Sequence, residues 1–600
     1  MGDQQGTDTR MPDPSEIATV MSEIAERSQR LVTDFVSKQM ESGSMGMADP
    51  LNVSGAFIEM TQKMMTDPGK VMQAQMTLWQ DYLNLWQSTA TRMMGGEAEG
   101  EQIKPERGDR RFKDDAWENN EVFNFMKQSY LLTSRWLYDT VTDVEGLDDQ
   151  TAKKVDFYTR QFIDALSPTN FVMTNPEVLR ATVESGGENL VNGLNNLLSD
   201  LEKGDGQLRI SMTDMDAFEL GKNIATTPGK VVFRNDLLEL IQFEPATEKV
   251  HKRPLLVVPA WINKYYILDL REKNSFIKWA TDQGHTVFVV SWVNPDARLA
   301  QKHFEDYVTE GTIAAIDAIE LATGEKEVNM VGYCIGGTLV AATLAYMAHQ
   351  GDDRVKSATF LTTMTDFEEP GELGVFIDED QVSSLEGKMN ERGYLEGSEM
   401  ATTFNMLRSN DLIWSFVINN YMLGKDPFPF DLLYWNSDST RMPAVMHSFY
   451  LRKFYMENKL VEPDGVTLAG VPIDLRRVKT PVYILSTRED HIAPWQSTYR
   501  ATQLYSGPVR FVLAASGHIA GVVNPPAANK YSHWINAKKP PKDPEAWFKG
   551  STEKEGSWWP DWDKWVSKHA GPKNTAARAP GDGKLEVLED APGSYVTAKA

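Results

Sequence analysis

Six short, mainly apolar runs separated by helix-forming segments set the main constraint on this 600-residue chain. They are Leu255–Val258, Thr286–Ser291, Val328–Val331, Ala358–Leu361, Val482–Leu485 and Arg510–Leu513. A strand that is apolar at successive positions, rather than at alternate ones, is buried on both faces. Such strands alternating with helices predict a mainly parallel sheet covered on both sides, an α/β architecture. Residues 1–205 lack these runs and read as a helical domain. Met72, Met76, Trp79, Leu83 and Trp86 recur at spacings of four and three, one stripe of a helix. A second helix is expected over Trp117 to Val141, after a polar loop at Gly95–Arg110. Ser199–Gly206 (SDLEKGDG) is the expected boundary, giving a second domain over 206–600. An aromatic-rich interval at about 366–477 interrupts the strand pattern where a lid or cap is commonly inserted. The polar last thirty residues read as an extended tail.

The third run leads into Gly332-Tyr333-Cys334-Ile335-Gly336-Gly337, which holds the chain's single cysteine. Glycines two before and two after Cys334 suit a tight strand-to-helix turn, because a Cβ there would strike the neighbouring strand or helix. Thr338 to His349 is rich in helix formers. A thiol at such a turn stands near the positive end of a helix, which favours the thiolate. The competing reading is a buried structural cysteine.

Two later strand ends supply partners. Val482–Leu485 runs into Arg488-Glu489-Asp490-His491, and Arg510–Leu513 runs into Ser516-Gly517-His518. Nucleophile, acid and histidine in that chain order, each after a strand, fit the α/β-hydrolase arrangement. His518 ranks ahead of His491 because Gly517 frees the backbone to present the imidazole. Glu489 competes with Asp490. The amide of Ile335 and the loop Pro259–Lys264, with Ile262, Asn263 and Lys264, are the expected oxyanion and substrate contacts. Lys264 and Arg452 are candidate cations for anionic substrate groups.

Composition narrows the setting. Lys and Arg number 61 against 85 Asp and Glu, a net charge of −24. That speaks against nucleic acid and against adhesion to anionic lipid by bulk charge. A lone cysteine forms no internal disulfide, and the first fifteen residues carry no apolar signal core, so a reducing cytoplasm is expected. Position 6 is Gly, which misses the myristoylation pattern, and no apolar run is long enough to span a bilayer. Thirteen of the 27 methionines lie in the first hundred residues, a flexible surface suited to irregular apolar partners or to packing on itself.

Gly332–Thr338, Ile262–Leu270, Arg488–Trp495, Ser516–Gly521 and Gly556–Trp562 together resemble the polyhydroxyalkanoate synthases, from about residue 110 to the C-terminus. The Gly-Gly-Thr ending of the elbow looks like the class I enzymes. The resemblance implies an α/β-hydrolase fold and polymerisation of short-chain (R)-3-hydroxyacyl-CoA, typically 3-hydroxybutyryl-CoA, with release of CoA. It implies Cys334 as nucleophile, His518 as its base and Asp490 as the carboxylate assisting the incoming hydroxyl. No metal or cofactor is expected. The expected partners are the acyl-CoA, the growing polyester, the granule surface and a second subunit in a homodimer. Two rivals remain: a cysteine hydrolase of thioesters or esters on the same fold, and an inactive granule-coating protein.

Overall fold

The computed structural model describes residues 53–96, 103–106 and 108–599. The first fifteen residues and the earliest methionines, read above from sequence, lie outside the described residues. The chain forms two compact units, one of residues up to Asp214 with Phe404–Phe428, the other of Met215–Thr403 with Pro429 onward.

The first unit is helical: α1 (Val53–Met64), α2 (Pro68–Met93), α3 (Glu121–Thr142), α4 (Asp149–Ala165) and α5 (Glu188–Lys203). Side-chain caps start three of them. Asp67 accepts from Lys70 N before Pro68, Asn120 from Val122 N and Phe123 N, and Asp148 from Gln150 N and Thr151 N. Leu85 of α2 is fully buried, and Tyr82 Oη lies 2.7 Å from Thr133 Oγ1 of α3. The Met72–Trp86 stripe is not part of that packing; its side chains are exposed.

Residues 404–428 fall within the expected lid interval, yet they pack in this helical unit. A Cβ on Gly193 of α5 would collide with the Tyr421 carbonyl, so only glycine lets the two backbones approach. Asn189 Nδ2 donates to Met422 O (2.7 Å), and Tyr421 Oη donates to Asp200 Oδ2 (2.6 Å).

The second unit is built on eleven strands in one sheet: β1 (Gly229–Arg234), β2 (Leu238–Phe243), β3 (Leu255–Val258), β4 (Val287–Trp292), β5 (Val328–Tyr333), β6 (Val355–Leu361), β7 (Val482–Thr487), β8 (Val509–Ala514), β9 (Ser532–Ile535), β10 (Thr552–Glu555) and β11 (Glu589–Asp590). Their order is β10-β9-β8-β7-β6-β5-β3-β4-β2-β1-β11. The six runs read from sequence are β3 to β8, and their mutual pairings are parallel. The outer strands pair antiparallel. Leu256, Phe288, Met330, Phe360 and Ile484 enter one apolar core, and Leu255, Val257, Val331, Leu361 and Tyr483 enter another. Successive side chains point to opposite faces, and both faces are buried, which is why these strands are mainly apolar. This is an α/β-hydrolase fold.

The C-terminal segment is not an extended tail. Residues 589–590 pair with β1 as an edge strand, Tyr595 Oη donates to Asn235 O (2.6 Å), and Lys264 Nζ donates to Ala598 O (2.9 Å). The ties are backbone pairs and ion pairs, such as Arg234 with Glu239 and Glu589, so hydropathy carries no trace of them.

Candidate active site

Cys334 lies between β5 and helix α6 (Ile335–Gln350), with φ 55° and ψ −126°. Positive φ is unusual for a residue with a Cβ and marks a strained turn. The flanking glycines explain how the chain accommodates it. A Cβ on Gly332 would collide with Gly337 Cα, and one on Gly336 would meet Pro259 O at 2.5 Å. The elbow therefore sits directly against the end of β3. Ile335 is the first residue of α6, so its amide has no partner within the helix and points from the helix's positive end.

His518 and Asp490 meet as the sequence order requires. His518 Nδ1 lies 2.7 Å from Asp490 Oδ2, and both side chains are buried. Asp490 is held on every side. Its Oδ1 accepts from Ile492 N and Ala493 N, each at 2.9 Å, and Oδ2 also accepts from Thr487 Oγ1 at 3.2 Å. Four donors fill a carboxylate's lone-pair sites. Glu489, the competing carboxylate, is exposed. Burial of His518 works against its cation, but Asp490 and then the neighbouring Cys334 outweigh it and raise the imidazole's pKa well above the ordinary value. With Nδ1 turned to the carboxylate, Nε2 is the nitrogen left for the thiol.

Gly517 does not play the part expected of it. A Cβ there would meet only Glu489 O, at 3.7 Å, and the positive φ belongs to Ser516 (77°). The loop is fixed from elsewhere. Trp558 Nε1 donates to Gly521 O (3.0 Å) and Trp559 Nε1 to Val522 O (2.9 Å). The Tyr333 ring stacks on the imidazole with centroids 5.8 Å apart. The tryptophan-rich C-terminal motif thus positions the histidine loop.

The remaining expected contacts divide. The backbone packed on Gly336 is that of Val258 and Pro259, ahead of Ile262 and Asn263, which are half-buried. Lys264 is buried, and its ammonium is bonded to Asp438 Oδ1 at 2.7 Å. Arg452 is bound by Glu386 (2.7 Å) and Glu379 (3.0 Å). Both cations are already neutralised by carboxylates, so the structure gives them internal roles rather than free positive charge. Sequence reasoning gave no individual role to Tyr450 and Tyr455, two of the aromatics in the inserted interval. Burial first, with the neighbouring Cys334 contributing, raises both phenols above their ordinary pKa. Tyr450 packs on Trp261, Phe367, Phe454 and Tyr455, which makes an apolar wall beside the thiol.

Residues 108–280 match the family described as "Poly-beta-hydroxybutyrate polymerase (PhaC) N-terminus", and residues 253–525 match the "alpha/beta hydrolase fold" family. The poly(3-hydroxyalkanoate) polymerase of Methylorubrum extorquens is 50% identical over 99% of this chain and 99% of its own. The poly(3-hydroxyalkanoate) polymerase subunit PhaC of Rhizobium meliloti is 49% identical over 98% of this chain and 96% of its own. The corresponding subunit of Cupriavidus necator is 44% identical over 89% of each chain. Alignments of 98–99% run through the first hundred residues, further than the motifs alone reached. An elbow cysteine, a buried His–Asp pair and likeness along almost the whole length agree: the chain belongs to the poly(3-hydroxyalkanoate) polymerase family.

Proposed function

We propose that this enzyme polymerises short-chain (R)-3-hydroxyacyl-CoA into polyhydroxyalkanoate, with Cys334 carrying the acyl chain as a thioester. The observation that carries the reading is His518, clamped by Asp490 at 2.7 Å on one nitrogen and near enough to Cys334 for the thiol to help raise its pKa. His518 Nε2 takes the thiol proton as sulfur attacks the CoA thioester. The amide of Ile335 stabilises the oxyanion, and the departing CoA thiolate takes the proton back. One thioester is exchanged for another, so the acyl group stays activated. The 3-hydroxyl of a second acyl group then attacks the acyl-cysteine, loses its proton to His518, and forms the ester as the cysteine sulfur leaves.

The four donors on Asp490 favour an orienting role for it, with His518 handling both proton transfers. Water would hydrolyse the same acyl-cysteine, and the wall around Tyr450 supports a site that excludes it. Among the described residues no helix is long and apolar enough to cross a membrane. Large exposed apolar side chains concentrate in the helical unit. They support work in the cytoplasm at the surface of the insoluble product.

The test is CoA release and turbidity with 3-hydroxybutyryl-CoA. Wild type should give CoA and insoluble polymer, whereas soluble hydroxy acid with CoA would assign a hydrolase. Cys334→Ser, or alkylation of the single thiol, should abolish both signals. Asp490→Asn should slow the first CoA released and elongation together. A burst of CoA without polymer would instead place Asp490 in the hydroxyl step.

A further inference from the structure

An acyl-CoA carries phosphates, and on a chain of net charge −24 such a substrate needs a local positive contact. Lys264 and Arg452 are already neutralised. In the loop after β6, Lys388, Arg392, Arg441, Lys453 and Lys459 also lie in ion pairs. Arg500, after β7, is bound by Glu368 and Glu369. Arg488, the first residue after β7, differs from all of these. It is exposed, and among the described residues it forms no ion pair and its guanidinium has no hydrogen-bond partner. Glu489, the next residue, and Glu553, in register with Trp534, form no ion pair with it either.

Arg488 is nonetheless held in place. Its N–H donates to Ala514 O at 2.9 Å, and its guanidinium carbon lies over two rings, 5.3 Å from the centroid of Trp534 and 5.1 Å from that of Phe548. Trp534 is fixed on β9 in register with Leu513. Phe548 belongs to α7 (Pro544–Lys549), whose first turn is capped by Asp543 accepting from Glu545 N and Ala546 N. The two rings meet edge-on at 5.6 Å. An aromatic face attracts the cation, while the five guanidinium donors lie in the guanidinium's own plane. An arginine held through its charge by rings thus keeps its planar fork for a ligand, and the oxygens of a phosphate match that fork.

The place fits the length of the substrate. The sheet order β9-β8-β7-β6-β5 puts Arg488 at the end of β7, two strands from the elbow, and its rings on β9 and α7, four strands from it. At about 4.8 Å between neighbouring strands, the guanidinium stands roughly 10–19 Å across the sheet from Cys334. In an acyl-CoA about thirteen bonds join the thioester sulfur to the first phosphorus, and at about 3.5 Å for every three bonds of an extended chain they reach roughly 15 Å. Lys530, two residues before β9 at the same sheet edge, is exposed and also without an ion pair among the described residues, which adds to the positive charge there.

We propose that Arg488 binds the diphosphate of the CoA moiety while the thioester lies at Cys334. The inference rests on the acyl-CoA reading of the site. The test compares thiol release from 3-hydroxybutyryl-CoA with release from the N-acetylcysteamine thioester of 3-hydroxybutyrate, which has no phosphate, and adds calorimetric titration of free CoA. Arg488→Gln should raise KM for the CoA ester about tenfold to a hundredfold, the loss expected of a hydrogen-bonded charge, with kcat little changed. Its KM for the N-acetylcysteamine thioester should match that of wild type, which a displaced catalytic loop would not allow. Free CoA should bind the variant more weakly by the same factor. Arg488→Lys, which keeps the charge and loses the fork, should show a smaller rise in KM, and it decides the matter if the glutamine variant does not fold. An unchanged KM for the CoA ester in a folded variant, or equal rises for the two thioesters, overturns the proposal. If wild type releases thiol from neither thioester, the polymerase reading fails, and the CoA titrations still judge Arg488: equal affinity for wild type and variant overturns its role.

Discussion

Replacing Lys264 with methionine separates a structural lysine from a CoA-binding one. The ammonium of Lys264 donates to Asp438 Oδ1 at 2.7 Å and to Ala598 O at 2.9 Å, and Tyr266 Oη donates to Asp438 Oδ2 at 2.7 Å. The two charged side chains are 3 and 7% exposed. Burial pulls the lysine pKa below its ordinary value, and Asp438 pulls the other way. Methionine keeps the aliphatic stem and removes the charge, so Asp438 is left as a buried carboxylate with one donor. Breaking a buried pair from one side costs about 3–5 kcal/mol. The catalytic unit has roughly 360 residues, and at about 2.1 cal/mol/K per residue its unfolding entropy is about 0.76 kcal/mol/K. The expected fall in melting temperature is therefore about 4–7 °C, read by differential scanning fluorimetry. Lys264→Met/Asp438→Leu removes both charges and should recover most of the loss, because an apolar replacement of a buried pair is often neutral. The reasoning fails if Lys264→Met melts within a degree of wild type while its KM for acyl-CoA rises. That result would make the lysine a contact for the substrate's phosphates.

Gly336→Ala should abolish CoA release, because its Cβ would strike the carbonyls at the end of β3, whereas Gly517→Ala should keep most of it, since its Cβ meets only Glu489 O at 3.7 Å. The raised pKa of His518 contributes stability that is fully present below the unfolded histidine value of about 6.5 and is lost as pH rises through the folded value. Asp490→Asn removes its main support, so the gap in urea midpoint between wild type and variant should be wider at pH 6 than at pH 10, and an equal gap at both would contradict the assignment. Deleting residues 1–214 should give an aggregating catalytic unit, because Tyr421 and its neighbours lose α5. Removing 404–428 as well, through a short linker, should restore solubility, measured as the soluble fraction after expression.

The strands around the nucleophile were legible because burial on both faces leaves few polar positions to blur them, as in Leu255–Val258. β2 was not, because the fully buried sequence LELIQF holds Glu239 and Gln242. Glu239 is tolerated there only through Arg234, Ser594 and the Tyr595 amide, partners up to 356 residues away. The trio of Cys334, Asp490 and His518 was readable from chain order and the strand ends. What fixes His518 was not: the expected device was Gly517, and the observed ones are Trp558 and Trp559, distant in sequence. Lys264 looked like a free cation because nothing near it in sequence announces Asp438, 174 residues on. The stripe on α2 was seen, but periodicity alone does not tell a helix face that is covered from one left bare.

The interlock of α5 with residues 404–428 has a consequence for synthesis on the ribosome. The two partners that Asn189 joins are 233 residues apart, and translation proceeds at about 5–20 residues per second. The groove at Gly193 therefore emerges roughly 10–50 s before the segment that fills it. During that interval the nascent helices present an unfilled slot, with Asn189 and Asp200 waiting for Met422 and Tyr421, while every strand from β1 to β6 is still being made. A slower passage over residues 215–403, through rare codons or low temperature, lengthens the exposure, and a holding chaperone shortens its effect. The yield of soluble enzyme thus depends on how fast the middle of the message is read, even though none of the residues encoded there belongs to the helical unit.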